Sequence, residues 1–215
     1  MFIQKLDQLI NQKQIEYIPA LIQEYTGKME HPDMKRGLEQ VKGDVKMQMH
    51  IVMYLVSLRA NLGVTNERYI SCFNEMMSGF GGSDNNILDV NELEILYLKN
   101  YNQYYEPFMR DHSHILENYL VNYVFEKLFP KNGEMLFWEY TLMVVMFLMT
   151  RIHLIGISGY YKQLNEETVI KVIQSFNRVT MHSPGYLETI REYFKENEFD
   201  SLAHVVAILS TRVAE

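Results

Sequence analysis

A chain of 215 residues that is 47% apolar and 22% charged can bury a real hydrophobic core as one large domain or two small ones, which excludes a disordered chain. Its net charge of −7 and pI near 5.5 argue against a nucleic-acid surface, because phosphate binding needs clustered Lys and Arg and no such cluster is visible. Cys72 is the only cysteine, which rules out an intrachain disulfide, a CxxC zinc site and an iron–sulfur cluster held by this chain's cysteines alone.

Gly and Pro are few, at 11 and 5, and no stretch alternates as several strands would require. The expected fold is all-α, a single irregular bundle of about eight to ten helices in one domain. Helices over 1–80 lead into those of 89–213.

At the N-terminus, Ile3, Leu6, Leu9 and Ile10, then Ile15, Ile18, Leu21 and Ile22, keep a helical period. The interruption near Pro19 predicts two short helices or one kinked one. After "HPD" at 31–33, one long helix is expected from about Met34 to Leu62, despite Gly37 and Gly43. Thr65 is a plausible N-cap for "NERYISCFNEMM", and "SGFGGSDNN" ends that helix as a loop. Its "GFGG" is read as a turn, since a cofactor loop would need a preceding strand and here the preceding residues are helical. "LGVTNERYI" is read as a structural turn, because the helix after it has no basic reading face.

Asp89 and Glu92 have capping-box spacing at the head of the next helix, which Pro107 closes or bends. "DNNILDVNELE" lacks the central Gly and alternating ligands of a calcium loop. "HILENYLVNYVFEKLFP" (114–130) then reads as a helix apolar almost all round, in which His114, Glu117, Asn118 and Asn122 are out of place. A turn at "PKNG" precedes a helix over Glu134 to Gly156. Its run Tyr140 to Thr150 falls short of the ~20 residues that span a bilayer, so it is read as a buried core helix. Asn165, Ser183 with Pro184, and Asp200 mark the last three helix starts. With no signal peptide evident after Met1, a reducing, cytoplasmic setting is the expectation.

Two polar groupings draw attention. His112, His114 and Glu117, with His182 from elsewhere, could be metal ligands, but a hydrogen-bonded histidine near a helix end is the favoured reading, and no metal is expected. Asn118 and Asn122 either bond to backbone, Arg151 or Arg178 across the bundle or line a cleft; the interior network is the expected one. Arg151 is expected to pair with a carboxylate such as Glu117 or Glu139.

Taken together, "HILENYLVNYVFEKLFP" (114–130), "EYTLMVVMFLMTRIHLIGIS" (139–158), "VIQSFNRVTMHSPGYLETI" (172–190) and "FDSLAHVVAIL" (199–209) resemble, in order and spacing, the C-terminal part of the flagellin lysine-N-methylase family. The first is the most specific of the four. The family carries a cysteine-rich N-terminal segment thought to hold an iron–sulfur cluster, and this chain departs from that pattern. It is therefore either the C-terminal part of a longer protein or a relative that has lost the cluster, and is expected to be inactive alone.

The resemblance implies methyl transfer from S-adenosylmethionine to lysine ε-amines of flagellin, with no nucleic-acid or membrane partner. Such a reaction needs a neutral amine aligned with the methyl group and shielded from water. On residue type and spacing, Asn118, Asn122, Tyr123, Arg151 and Arg178 are the expected substrate-binding residues, and Glu117, Tyr119 and His182 the catalytic ones, Glu117 or His182 taking the proton. The alternative is a non-enzymatic ligand-sensing or dimerisation module, whose adaptable pocket would use the 14 Met.

Overall fold

The computed structural model describes residues 2–82, 89–131, 135–181, 183–199 and 201–210. Among them the chain is all-α, as the composition predicts. Its axis is α9, Leu136–Tyr161, a 26-residue helix about 39 Å long at 1.5 Å per residue. From Val144 onward nearly every residue of α9 is buried. Its hydroxyls are satisfied within the helix: Thr141 and Thr150 donate to the carbonyls of Phe137 and Met146, each at the i−4 position, and Ser158 to Ile155. By length and composition α9 could cross a membrane, yet 83% of its most apolar window is buried inside the fold. It is the core helix expected from sequence.

Around α9 are wrapped α4 (Val45–Asn61), α5 (Glu67–Gly79), α6 (Val90–Asn100), a π-helical turn (Tyr101–Tyr105), α10 (Glu166–Thr180) and α12 (Leu202–Leu209). The closest approach is that of α5, where Gly79 meets Gly156 of α9 and two missing side chains let the backbones touch. Asn100 locks the same junction from α6, its Nδ2 donating to the Gly79 carbonyl at 2.9 Å.

At the N-terminus, α1 (Phe2–Asn11) and α2 (Ile18–Glu30) bury Leu6 and Leu21 against Leu136, the first residue of α9. Pro19 falls within the first turn of α2, where its missing N–H is harmless, so it starts a helix instead of kinking one.

One long expected helix is divided. Residues 34–62 form α3 (Pro32–Gln40) and α4, because Asp44 caps α4 by accepting from Met47 N at 2.9 Å and its own N–H goes to Ala207 O. Beyond α6, the π turn precedes α7 (Glu106–Asp111), which holds Pro107 in its first turn. The number of helices stays close to the eight to ten expected.

Most predicted caps are present. The Asp89–Glu92 capping box forms, Asn165 accepts from Thr168 N, and α11 (Pro184–Glu196) begins after Ser183. Asn66, not Thr65, caps α5, since its side chain accepts from Tyr69 N; α12 is capped by Ser201, while Asp200 lies outside the described residues, as do most of the "SDNN" and "PKNG" loops and Glu134.

Candidate functional site

The stripe on "HILENYLVNYVFEKLFP" lies on α8 (His114–Lys127), and α8 is not apolar and buried all round. One face inserts Leu116, Tyr119 and Tyr123 into the fold. The opposite face carries Glu117, Val121, Phe125 and Leu128, all exposed. Between them Asn118, Asn122 and Glu126, spaced i, i+4, i+8, run along one edge.

That edge borders a cleft. Ile115, Asn118, Tyr119, Asn122, Tyr123 and Glu126 from α8 face Ile173, Asn177 and Met181 across a space of about 170 Å3. Four of the residues named from sequence therefore meet at one place: Asn118, Tyr119, Asn122 and Tyr123. The interior network expected for the two asparagines does not form, and neither side chain has a hydrogen-bond partner among the described residues. Both border open space, since the face that α8 inserts into the fold is that of Leu116, Tyr119 and Tyr123.

Glu126 and Asn177 were not singled out from the sequence. Glu126 was visible there as the third member of the Asn118, Asn122 series. Asn177 had no such signal, since nothing in "SFNRVT" tells which side of α10 meets α8.

The cleft presents both donors and acceptors, three amides and two phenols, with the Glu126 carboxylate as its purely accepting group. The Oδ1 of Asn177 is buried with no partner among the described residues, a state that costs on the order of 1–3 kcal/mol. Burial pushes the Tyr119 phenol up to about 12, opposed by its contact with Thr150 Oγ1 at 3.4 Å, and pushes Tyr123 higher still. Both phenols are neutral near pH 7. Among the described residues Glu126 is ionically paired only to Lys127, at 3.1 Å, a half-exposed contact worth under ~1 kcal/mol that an incoming cation could displace. A second, more apolar hollow of about 270 Å3 adjoins the first, sharing Tyr123, Glu126 and Met181 and extending to Phe129, Leu142 and Leu187.

The remaining sequence candidates lie elsewhere. Glu117 is on the outer face of α8, about 100° round the helix from Asn118. Arg178 follows Asn177 but turns to a separate concavity. His182 lies outside the described residues. Arg151 is buried and has neither Glu117 nor Glu139 as its counter-charge: it donates to the carbonyls of Leu209 and Ile208 at 2.7 and 3.0 Å and to Gln48 Oε1 at 3.1 Å. The negative end of α12 replaces the expected carboxylate.

No group of three metal-ligating side chains occurs among the described residues. His112 instead bonds the Phe108 carbonyl at 2.8 Å and faces Glu166 at 3.7 Å. S-adenosylmethionine does not fit the cleft, which is smaller than the ~300 Å3 or more typical of ligand pockets. The "GFGG" turn forms no cradle for it either, since Gly82 N and Phe80 N fold back onto Met77 O. Cys72 is buried beside Ser175, its thiol pushed up by burial.

One buried group has a pH consequence. His153 on α9 is fully enclosed beside Phe176, its Nδ1 bonded to Met149 O at 2.7 Å and its Nε2 unpartnered among the described residues. Burial lowers its pKa from 6.5 to about 4, against the opposing Met149 bond. The folded chain thus takes up this proton only near pH 4, the unfolded chain near 6.5, so stability from this residue falls as pH drops through that window. Between pH 7 and 5 the loss is about 2 kcal/mol. Urea unfolding of wild type and His153→Phe at both pH values should show this much less loss in the variant; equal losses would mean that His153 is protonated in the fold.

The fold and the site define an all-α domain with a small polar cleft between α8 and α10. The family model of the FliB lysine N-methylase C-terminal domain matches residues 1–208, and the chain belongs to that family. No curated protein and no solved structure matches it.

Proposed function

We propose that this chain holds the substrate lysine for a protein-lysine N-methylase acting on flagellin, with S-adenosylmethionine as the methyl donor bound outside the α8–α10 cleft. The observation that supports this reading is the unpartnered Asn177 Oδ1 in a cleft whose other polar atoms include Asn118, Asn122, Tyr119, Tyr123 and Glu126. A lysine head group is all donors and no acceptors, and the amide oxygens, the phenol oxygens and the Glu126 carboxylate are the atoms that would accept from it. The amides would aim the amine, and the two phenols would flank it without taking its proton. Glu126 is the ionisable group positioned in the cleft to receive that proton, the role first given to Glu117 or His182.

Leucine at Asn177 keeps the shape of the side chain and removes its oxygen. Asn177→Leu in the intact methylase should lower flagellin lysine methylation about tenfold, the value of one lost hydrogen bond of ~1–2 kcal/mol, as read by mass spectrometry. On this chain alone, N-acetyl-lysine amide should shift NMR resonances of α8 and α10 in the wild type and not in the variant. Unchanged methylation together with unchanged spectra would overturn the reading.

A further inference from the structure

On the far side of α10 from the cleft, Arg59, Gly63, Val64, Thr65, Asn66, Arg178 and Val179 line a concavity of about 340 Å3 with mostly polar walls. Arg59 is held in place there: its Nε donates to the Val179 carbonyl at 3.0 Å, and its guanidinium lies 5.8 Å over the Tyr186 ring. This leaves both terminal nitrogens of Arg59 without an acceptor among the described residues. Arg178 is exposed and has no hydrogen-bond or ion-pair partner among them either.

In a chain of net charge −7, two arginines at one hollow without a carboxylate are unexpected, because acidic side chains are abundant enough to pair with them. Two cations at one hollow make a positive local field that favours an anion there. Guanidinium groups present planar pairs of N–H donors that match the oxygens of a phosphate. The Thr65 hydroxyl adds a donor at the same hollow, whereas the Asn66 side chain is occupied in capping α5, accepting from Tyr69 N at 2.9 Å.

We propose that this concavity is a binding site for a phosphate-class oxyanion, clamped between Arg59 and Arg178. It is independent of the lysine cleft, so either site can fail without the other. The oxyanion could be free phosphate or the phosphate of a nucleotide, and the two are separated by titrating inorganic phosphate and adenosine monophosphate in parallel.

The test is thermal unfolding of this chain in inorganic phosphate against sodium chloride of equal ionic strength. At phosphate tenfold above its dissociation constant Tm should rise by about 3–5 °C. NMR shifts should be confined to residues 59–67 and 178–179. Arg178→Gln removes no contact within the fold and should abolish most of the rise while leaving Tm in chloride unchanged; Arg59→Gln should do the same from a lower starting Tm. Tighter binding of the nucleotide would assign the site to a nucleotide phosphate, and equal or weaker binding to free phosphate. No rise beyond that in chloride, or an equal rise in Arg178→Gln, overturns the proposal.

Discussion

Replacing Arg151 by Met should lower the unfolding free energy by about 3–5 kcal/mol, the penalty for removing one partner of a buried charged network. The last carbonyls of a helix have no partner within it, and those of α12 are partly enclosed by the fold. Arg151 supplies donors to two of them, Ile208 O and Leu209 O, and a third to Gln48 Oε1. Gln48 in turn donates to Ala207 O and Ser210 O at 2.9 and 2.7 Å, so two side chains tie down the whole end of α12. Methionine fills nearly the same volume with a flexible apolar stem, which makes the loss one of hydrogen bonds more than of packing. Arg151→Lys keeps the charge but not the fork of donors, and should fall between the two. Urea unfolding measures the loss, and amide exchange should show α12 opening ahead of the rest. A loss under about 1 kcal/mol would mean that water reaches these carbonyls.

Arg151 also marks a limit of sequence reading. A buried arginine points to a carboxylate, because the pairing of opposite side-chain charges is the pattern that residue types disclose. Helix-end carbonyls belong to every residue and carry no signature, so the actual partners were invisible until α12 was seen to end beside α9. The split of 34–62 was missed for a related reason. Asp44 looks like any other charged residue until its cap on α4 and its bond to Ala207, 163 positions away, are in view. What depends on local chemistry was legible: the Asp89–Glu92 box, the Asn165 cap, the Ser183–Pro184 start and the buried run of α9. Half of the cleft was legible too, since the asparagine and tyrosine series on α8 needs only the helical period. Its facing wall depends on how α10 is rotated, and this separates Asn177 in the cleft from Arg178 at the other hollow, a single residue apart.

The α5–α9 crossing should be the least forgiving place in the fold for added volume. A Cβ at Gly79 would stand 1.7 Å from the Gly156 carbonyl oxygen and 2.9 Å from Tyr160 N, both backbone atoms that no rotamer change can move. A Cβ at Gly156 would meet Met76 Cγ at 2.6 Å and Phe80 Cε2 at 2.7 Å, side-chain atoms that can yield in part, and Met76 O at 2.8 Å. Both substitutions to Ala gain up to ~1 kcal/mol of helix propensity, so any net loss measures the clash. Gly79→Ala should cost about 3 kcal/mol or more, above the usual overpacking penalty because whole helices must separate, and Gly156→Ala about 1–3 kcal/mol. For a chain of this length each kcal/mol lowers Tm by roughly 2–4 °C, so calorimetry resolves both. If Ala at 79 were neutral or stabilising, propensity would outweigh contact and the helices could not lie this close. The crossing also bears on the cleft. It fixes the path of α9, and Thr150 on α9 sits 3.4 Å from the Tyr119 hydroxyl, so separating α5 from α9 should shift the cleft wall as well as the core.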